Sequence, residues 1–237
     1  MTLRKGGNET MDVIEVINQR MSIRAFKTDP VPLDILKRIM EVALRAPSWG
    51  NTQPWEFAIV SGRELEEIRR GFIERAEEEP SSDISRPQEF PEPYAARRRA
   101  RAAKNLEIKG IRREDSEGRG WWRLQGLRHF GAPTVIYICI NRSFYFQDKV
   151  LNVWPVFDCA LVAENIMLAA IKYGLGTVPQ AQAVAYPGVL RKVLGIPDSK
   201  LIVLGISIGY PNWDDPINQW RTDREPRDKV CKWYGFG

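Results

Sequence analysis

The sequence predicts a mixed α+β fold in a single domain. Apolar residues recur at helical spacing near the start of the chain, at 13–17 and again at 33–44. The run 134–140 is apolar and β-branched, which is typical of a buried central strand. With 237 residues, 43% of them hydrophobic, the chain is long enough for one substantial core. We expect a loose polar tail at 1–11, without the apolar stretch of a secretory signal, and one domain at 12–237.

The first half begins with helices and continues with a strand. Its predicted elements are two helices, a strand, a turn and a charged surface helix, at 13–17, 33–44, 55–60, 61–62 and 64–79. Pro47 ends the second helix, because proline lacks the N–H that a helix interior needs. The charged helix at 64–79 has few apolar positions, and the core is expected to resume only at Phe130.

The second half carries the most apolar segments. Its predicted elements are a strand, a long helix, a short helix and a final strand, at 134–140, 154–173, 189–194 and 201–208. The segment 154–173 is apolar nearly all round and too long for a strand, and Gly174 is its expected C-cap. A polar segment from 210 to 237 closes the chain.

Composition argues against several classes of function. The longest apolar runs are interrupted within about ten residues, short of the roughly 20 that a membrane span requires. The net charge of +5 is spread along the chain, unlike a nucleic-acid footprint. His129 is the only histidine, so neither a zinc shell nor a Ser-His site is expected. The cysteines, Cys139, Cys159 and Cys231, are odd in number; we expect them reduced and buried in a cytoplasmic protein.

Two motifs near the start suit a phosphorylated heterocyclic ligand. The first places two guanidinium groups and a hydroxyl within five residues at the end of a predicted helix: Arg20-Met21-Ser22-Ile23-Arg24. The second offers an amide side chain in a tight loop: Pro47-Ser48-Trp49-Gly50-Asn51-Thr52-Gln53-Pro54-Trp55. Taken singly, these residues would be ordinary helix-end charges and turn formers. Together they resemble the Arg-x-Ser-x-Arg and Pro-Ser-x-x-Asn-x-Gln-Pro-Trp signatures of the FMN-dependent nitroreductase family.

Two later stretches strengthen the resemblance. The segment 174–182 is similar to the family's loop in which a backbone N–H after Val-Pro meets flavin N5, so Ala181 or Gln180, after Pro179, would be that donor. The segment 221–226 resembles the family's closing basic motif, whose arginine returns to the FMN phosphate. The likeness covers roughly 12–236 apart from the middle.

The resemblance implies a fold and an assembly. The fold would be a central, mostly antiparallel sheet with helices on both faces. Two subunits would form an intertwined homodimer that exchanges C-terminal segments, with each FMN at the interface between chains. The apolar helix at 154–173 is the natural dimer core, although burial within one subunit would give the same pattern.

The resemblance also assigns residues and chemistry. Cofactor-binding positions would be Arg20, Met21, Ser22, Arg24, Pro47, Ser48, Asn51, Pro179, Gln180, Ala181, Arg221 and Arg224. Of these, Arg20, Ser22 and Arg224 would hold the phosphate and ribityl side. Arg24 and Asn51 would face the isoalloxazine edge, where a cation stabilises reduced flavin. Pro47 and Ser48 would reach the partner's flavin. NADH or NADPH would reduce flavin N5, and a small aromatic acceptor would reoxidise it by ping-pong kinetics without a catalytic side chain.

The insertion at about 63–127 resembles the lid of the branch that includes nitrobenzoate reductases. We expect Trp49, Tyr94, Arg97 and Arg98 to contact substrate or form the lid. The arginines at 97–101 could attract an anionic aromatic substrate or the extra phosphate of NADPH, or could merely solvate a helix face. Two alternatives stay open. One is a reductive dehalogenase related to iodotyrosine deiodinase, with Glu92, Tyr94 and Lys104 as its recognition trio; the other is a flavin-binding protein without turnover.

Overall fold

The structure is a computed structural model that describes residues 12–147 and 150–236. The expected tail at 1–11 lies outside these residues. The helices are α1 (Val13–Gln19), α2 (Leu33–Ala43), α3 (Gly62–Glu74), α4 (Tyr94–Ile108), α5 (Ser116–Leu127), α6 (Arg142–Tyr145), α7 (Trp154–Lys172), α8 (Pro187–Leu194) and α9 (Arg227–Val230). The strands are β1 (Trp55–Ser61), β2 (Thr134–Asn141), β3 (Phe146–Gln147), β4 (Val150–Leu151), β5 (Gly176–Gln180) and β6 (Lys200–Gly209).

The main sheet has four strands in the order β1-β2-β6-β5, and every neighbouring pair is antiparallel. Strand β2 is central and is buried along its whole length except at Asn141. Strands β3 and β4 form a separate short hairpin. The mixed α+β fold with an antiparallel sheet and a buried central strand is therefore confirmed.

Helices cover both faces of this sheet. Side chains alternate between the two faces of a strand, so Ile136 and Ile138 of β2 pack with α2 and α7, whereas Val135 and Tyr137 pack with α3 and α8. Helix α7 is long and apolar enough to cross a membrane by composition, but it lies against α2 and the sheet and buries Asp158. Part of its apolar surface belongs to the core of the fold, and part of it, including Trp154 and Phe157, is exposed.

Several predicted elements need correction. Helix α3 ends at Glu74 rather than at 79, and its Leu65, Ile68 and Phe72 are fully buried, so its charged composition concealed a core helix. Helix α2 ends at Ala43, before Pro47. The buried core resumes before Phe130, because Leu127 of α5 is already buried.

The segment after Gly174 was expected to be a loop, but it forms strand β5, which pairs along its length with β6. Gly174 itself has φ +68° just after α7, as a C-terminal glycine does.

Cys139 and Cys159 are buried, and burial raises the pKa of their thiols to about 11 and about 12. Cys231 is exposed, contrary to expectation.

The insertion contains two helices of different character. Helix α5 is capped by Asp115, whose carboxylate accepts a hydrogen bond from the Gly118 N–H at 2.8 Å. It is joined to the segment after α3 by Arg123, which donates to the Ala76 carbonyl and contacts Glu77. Helix α4 is exposed over most of its length, and Asn105 is its one buried residue.

Candidate flavin site

The segment Arg20–Arg24 lies along the edge of the main sheet. Ser22 forms a parallel bridge with Thr177 of β5, and the Ile23 N–H donates to the Thr177 carbonyl at 2.9 Å. Gly176 permits this close approach, because a Cβ there would lie 2.8 Å from Pro211 Cγ and closer still to Ile23. The first sequence motif therefore runs beside the strand that ends at Gln180.

A buried amide fixes the end of this segment. The Asn218 Oδ1 accepts the Arg24 N–H at 2.8 Å, and its Nδ2 donates to the carbonyls of Ala25 at 2.7 Å and Asn212 at 2.8 Å. Asn218 is 1% exposed, so all three bonds are shielded from water. Sequence reasoning missed Asn218; the Asp215-Pro216 pair before it signals a turn, but nothing marks the amide.

The two arginines of the motif are only partly neutralised. Arg20 contacts Glu164 of α7 through Nε at 3.6 Å, which engages Nε rather than the terminal nitrogens of the guanidinium. Arg24 donates to the Ser22 carbonyl at 3.3 Å, and its pKa is lowered to about 10 by burial and by the positive charge of Arg101 on α4. A cation in such surroundings is stabilised by an anionic ligand.

The loop at 47–53 is strained and largely exposed. Its backbone has positive φ at Gly50 (57°), Asn51 (58°) and Gln53 (46°), which is unfavourable for the two residues that carry a Cβ. The Ser48 Oγ accepts the Gln53 N–H at 2.9 Å. Pro47, Trp49 and Asn51 point outward as exposed residues. Strain of this kind is typical of functional loops.

The loop is tied to the long core helix. The Trp49 N–H donates to both carboxylate oxygens of Asp158 at 3.1 and 3.2 Å, and Asp158 is 1% exposed on α7. Sequence reasoning missed Asp158, although a carboxylate inside an apolar helix is itself a signal of a buried partner. Helix α7 thus carries contacts to both N-terminal motifs, at Asp158 and Glu164.

The end of β5 distinguishes the two proposed backbone donors. The Gln180 side chain is 6% exposed, donates to the Gly126 carbonyl at 3.1 Å and accepts from Ser207 at 2.6 Å. Pro179 pairs with Ile206 within the sheet. Ala181 is exposed just beyond the strand, and its carbonyl accepts from Arg86 of the insertion at 2.8 Å. Ala181 thus lies at the exposed end of the strand, whereas Gln180 is paired within the sheet.

The closing arginines lie in two places. Arg221 donates to the carbonyls of Asn18 and Gln19, which end α1 and would otherwise lack helical partners. This contact holds α1, and hence the start of the Arg20 segment, against the C-terminal region. Arg224 is exposed, and within the described residues its hydrogen bonds run only to Thr222 and Asp223.

Three of the expected substrate and lid residues, Tyr94, Arg97 and Arg98, lie on α4, whereas Trp49 lies in the loop at 47–53. Tyr94 is exposed, Arg97 lies 5.4 Å over its ring and pairs with Glu225 at 2.7 Å, and Arg98 lies 5.0 Å over the Phe90 ring. Met21 is half-buried in the Arg20 segment.

The alternative trio for a dehalogenase is already engaged. Glu92 pairs with Arg99 at 2.5 Å and also accepts the Ala96 N–H at 3.1 Å, while Lys104 pairs with Glu107 at 2.6 Å. These contacts stabilise α4 itself, so they give the dehalogenase reading no support.

Comparison with known proteins matches residues 17–210 to the family described as the nitroreductase family. The chain belongs to this family. A chloronitrobenzene nitroreductase of Comamonas testosteroni is 31% identical over 215 residues, covering 89% of this chain and 91% of that protein. A 4-nitrobenzoate reductase of Pseudomonas putida is 29% identical, covering 96% and 97%.

Solved nitroreductase structures share the whole fold. The FMN and NADPH-dependent nitroreductase NfnB from Sphigopyxis sp. strain HMH superimposes with a TM-score of 0.88 at 29% identity, covering 95% of this chain and 100% of that one. The predicted nitroreductase fold is thereby confirmed.

Proposed function

We propose that this nitroreductase is an FMN-dependent NAD(P)H oxidoreductase that reduces nitroaromatic or related electrophilic aromatic acceptors. The observation that carries the proposal is the bridge between Ser22 and Thr177, which sets the Arg20–Arg24 motif beside the strand that leads to Ala181. Solved structures of nitroreductases named as FMN-dependent, with NADPH as electron donor or bound ligand, support the cofactor and the electron donor.

The donor set fits a phosphorylated flavin. Arg20 and Arg24 supply cations, Ser22 supplies a hydroxyl, and each lies on a segment fixed by backbone hydrogen bonds. The buried Thr177 Oγ1 has no hydrogen-bond partner in the described part of the chain, so a polar group beside Ser22 would satisfy it. Asn51 offers an exposed amide for a heterocycle edge.

When bound, FMN supplies the two-electron chemistry, accepting a hydride at N5 from the nicotinamide and then reducing the acceptor. The residues of this chain bind and orient. Arg24 would stabilise negative charge near the pyrimidine edge, and the Ala181 N–H would be the backbone donor to N5. Since both ligands would use one face, we expect ping-pong kinetics, in which the oxidised nicotinamide leaves before the acceptor binds.

The proposal includes a homodimer. Helix α1 exposes Val13, Ile14 and Ile17, and helix α7 exposes Trp154 and Phe157, each at 48–60% of the residue surface. Exposed apolar groups on two adjoining helices indicate an interface between protein chains. In a dimer these faces would be covered, and Pro47 and Ser48 would reach the partner's flavin. Sedimentation should give the mass of two chains, and a monomer would contradict this part of the proposal.

Two further assignments belong to the proposal. Residues 12–237 form one domain, with 63–127 as an insertion whose helix α4 is the lid. The protein is cytoplasmic; the buried, unpaired Cys139 and Cys159 agree with a reducing compartment.

An anaerobic titration tests the activity. The purified protein is loaded with FMN, its visible spectrum is recorded, and NADH or NADPH is added in one equivalent, followed by 4-nitrobenzoate or, as a neutral comparison, nitrobenzene. We expect bleaching by a nicotinamide and stoichiometric recovery of the flavin absorbance on adding a nitroaromatic.

The outcomes separate the candidate functions. Failure of either nicotinamide to bleach bound FMN would favour a flavin-binding protein without turnover. Bleaching without recovery would keep the flavoenzyme but reject nitroaromatic acceptors. A protein that retains no FMN would contradict the whole assignment.

A further inference from the structure

The arginines of α4 differ in how they are neutralised. Arg97 pairs with Glu225 at 2.7 Å, and Arg99 pairs with Glu92 at 2.5 Å. Among the residues that the structure describes, no carboxylate forms an ion pair with Arg98, Arg101 or Arg24. The positive charge of α4 is therefore concentrated on two side chains rather than shared by four.

Those two side chains lie on the side of α4 that carries its buried residue, and both remain exposed to solvent. Arg98 and Arg101 are three residues apart, and Asn105 follows one turn later, so all three share one face of the helix. Asn105 is 3% exposed and is the buried residue of α4. Its Oδ1 is buried without a hydrogen-bond partner within the described residues, as expected beside a polar ligand or a bound water.

Helix α4 is docked where the flavin motif is fixed. It packs against the turn Pro216–Asn218, and Lys109 at its end pairs with Asp215 at 2.6 Å. Asn218 of the same turn binds the Arg24 N–H. The C-terminal region thus holds α4 and the Arg20–Arg24 motif together. The positive charge of Arg101 reaches Arg24, whose pKa is lowered first by burial and then by Arg101.

We propose that Arg101, held beside the flavin-facing Arg24, binds the anionic group of the ligand that enters over the flavin, and so determines its specificity. Two like charges held near each other without a counter-ion are stabilised by a ligand that brings a carboxylate or a phosphate. The shared chemistry is an oxyanion. It can come from the extra phosphate of NADPH or from the carboxylate of an aromatic acceptor. This inference rests on the proposed function.

Equilibrium binding to the oxidised, FMN-loaded protein tests the inference without turnover. Calorimetry gives the affinity for two pairs of probes that differ in one anionic group: benzoate against benzamide, and NADP⁺ against NAD⁺. The variant is Arg101→Ala, and Arg99→Ala is the matched control, because it removes the same charge from the same helix outside this face. Arg101→Lys tests whether charge alone restores binding.

We expect Arg101→Ala to weaken binding of one anionic probe by about tenfold to a hundredfold, the range for a lost charge-assisted hydrogen bond. Its uncharged counterpart should bind as before. A change confined to benzoate assigns the acceptor carboxylate, and one confined to NADP⁺ assigns the nucleotide phosphate. Arg99→Ala should leave both preferences intact, and Arg101→Lys should restore part of the lost affinity.

Two results would overturn the inference while leaving the proposed function standing. One is an Arg101→Ala protein that keeps FMN and shows unchanged preferences in both pairs. The other is loss of FMN from this variant, which would assign Arg101 to the flavin rather than to an incoming ligand. A wild-type protein without FMN would instead refute the proposed function itself.

Discussion

The Arg20–Arg24 segment and helix α4, which we propose to border the same site, are held in opposite ways. The segment is fixed by a backbone bond to Thr177 and by the buried Asn218. Helix α4 is mostly exposed and is attached to the C-terminal region by the ion pairs Arg97–Glu225 and Lys109–Asp215. Buried hydrogen bonds resist salt, whereas exposed ion pairs are screened by it. The difference indicates that the proposed cofactor-binding segment 20–24 is rigidly held, whereas α4 beside it can move more easily. We call segment 20–24 with its Asn218 contacts the floor of the proposed site.

Removing the Asn218 amide should give the largest effect on the floor. Asn218→Ala leaves the Arg24 N–H and the carbonyls of Ala25 and Asn212 without their partner. We expect the free energy of unfolding to fall by roughly 4 kcal/mol, since each unsatisfied buried group costs about 1–3 kcal/mol. Denaturant unfolding measures this. Gln219→Ala is the control, because its bond to the Trp213 carbonyl is exposed; an equal loss in both variants would refute the role of Asn218.

Arg20→Ala tests whether the floor holds the cofactor. A charge-assisted contact to a phosphate is worth about 1.5–3 kcal/mol, so FMN affinity should fall roughly tenfold to a hundredfold. Fluorescence titration of the apoprotein with FMN gives the dissociation constant. Arg45→Ala is an exposed arginine control from outside the motif. Unchanged FMN affinity in Arg20→Ala would remove Arg20 from the site.

Mild acid should lower the free energy of unfolding of the domain through His129, the one histidine in the chain, before it affects the attachment of α4. His129 is fully buried against the Tyr137 hydroxyl at 3.0 Å, and burial, with a smaller effect of Arg69, lowers its pKa from 6.5 to about 3. The unfolded chain therefore takes up a proton below pH 6.5 that the folded chain refuses down to about pH 3. As far as His129 is concerned, the free energy of unfolding is highest above pH 6.5 and falls as the pH drops through this window, by roughly 2 kcal/mol between pH 7 and pH 5.

Urea unfolding at several pH values measures this slope, and His129→Gln removes the titrating group. The variant is less stable at pH 7, but its stability should change less between pH 7 and pH 5. Equal slopes in the two proteins would show that His129 is not the cause.

Helix α4 should respond to salt with the smallest change in stability. Arg97→Met removes the more exposed docking pair, and we expect a loss of about 1 kcal/mol or less, since Arg97 is 45% exposed. Hydrogen exchange in 94–108 should nevertheless accelerate, and high salt should have the same effect on the wild type. Exchange in 20–24 should stay unchanged under both treatments. Equal acceleration in the two segments would contradict the distinction between them.

The sequence predicted those elements whose apolar residues follow a regular pattern along the chain. Strand β2 and helix α7 carry unbroken apolar patterns, so both their type and their burial were recognised. Strand β5 was missed because Gly176 and Pro179 are poor strand residues, and it forms through pairing with β6. The Arg20 and Asn51 motifs were found as local patterns. Asn218 and Asp158 were not, since their roles depend on contacts between residues distant in the chain.

A crystal structure of the FMN-loaded protein tests the central claim most directly. We predict two chains per assembly, with the flavin phosphate within hydrogen-bond distance of Arg20 and the isoalloxazine edge beside Arg24. The ring should lie next to Ala181 and to Pro47 and Ser48 of the partner subunit. A flavin bound away from the Arg20–Arg24 segment, or held by a single chain alone, would contradict this account.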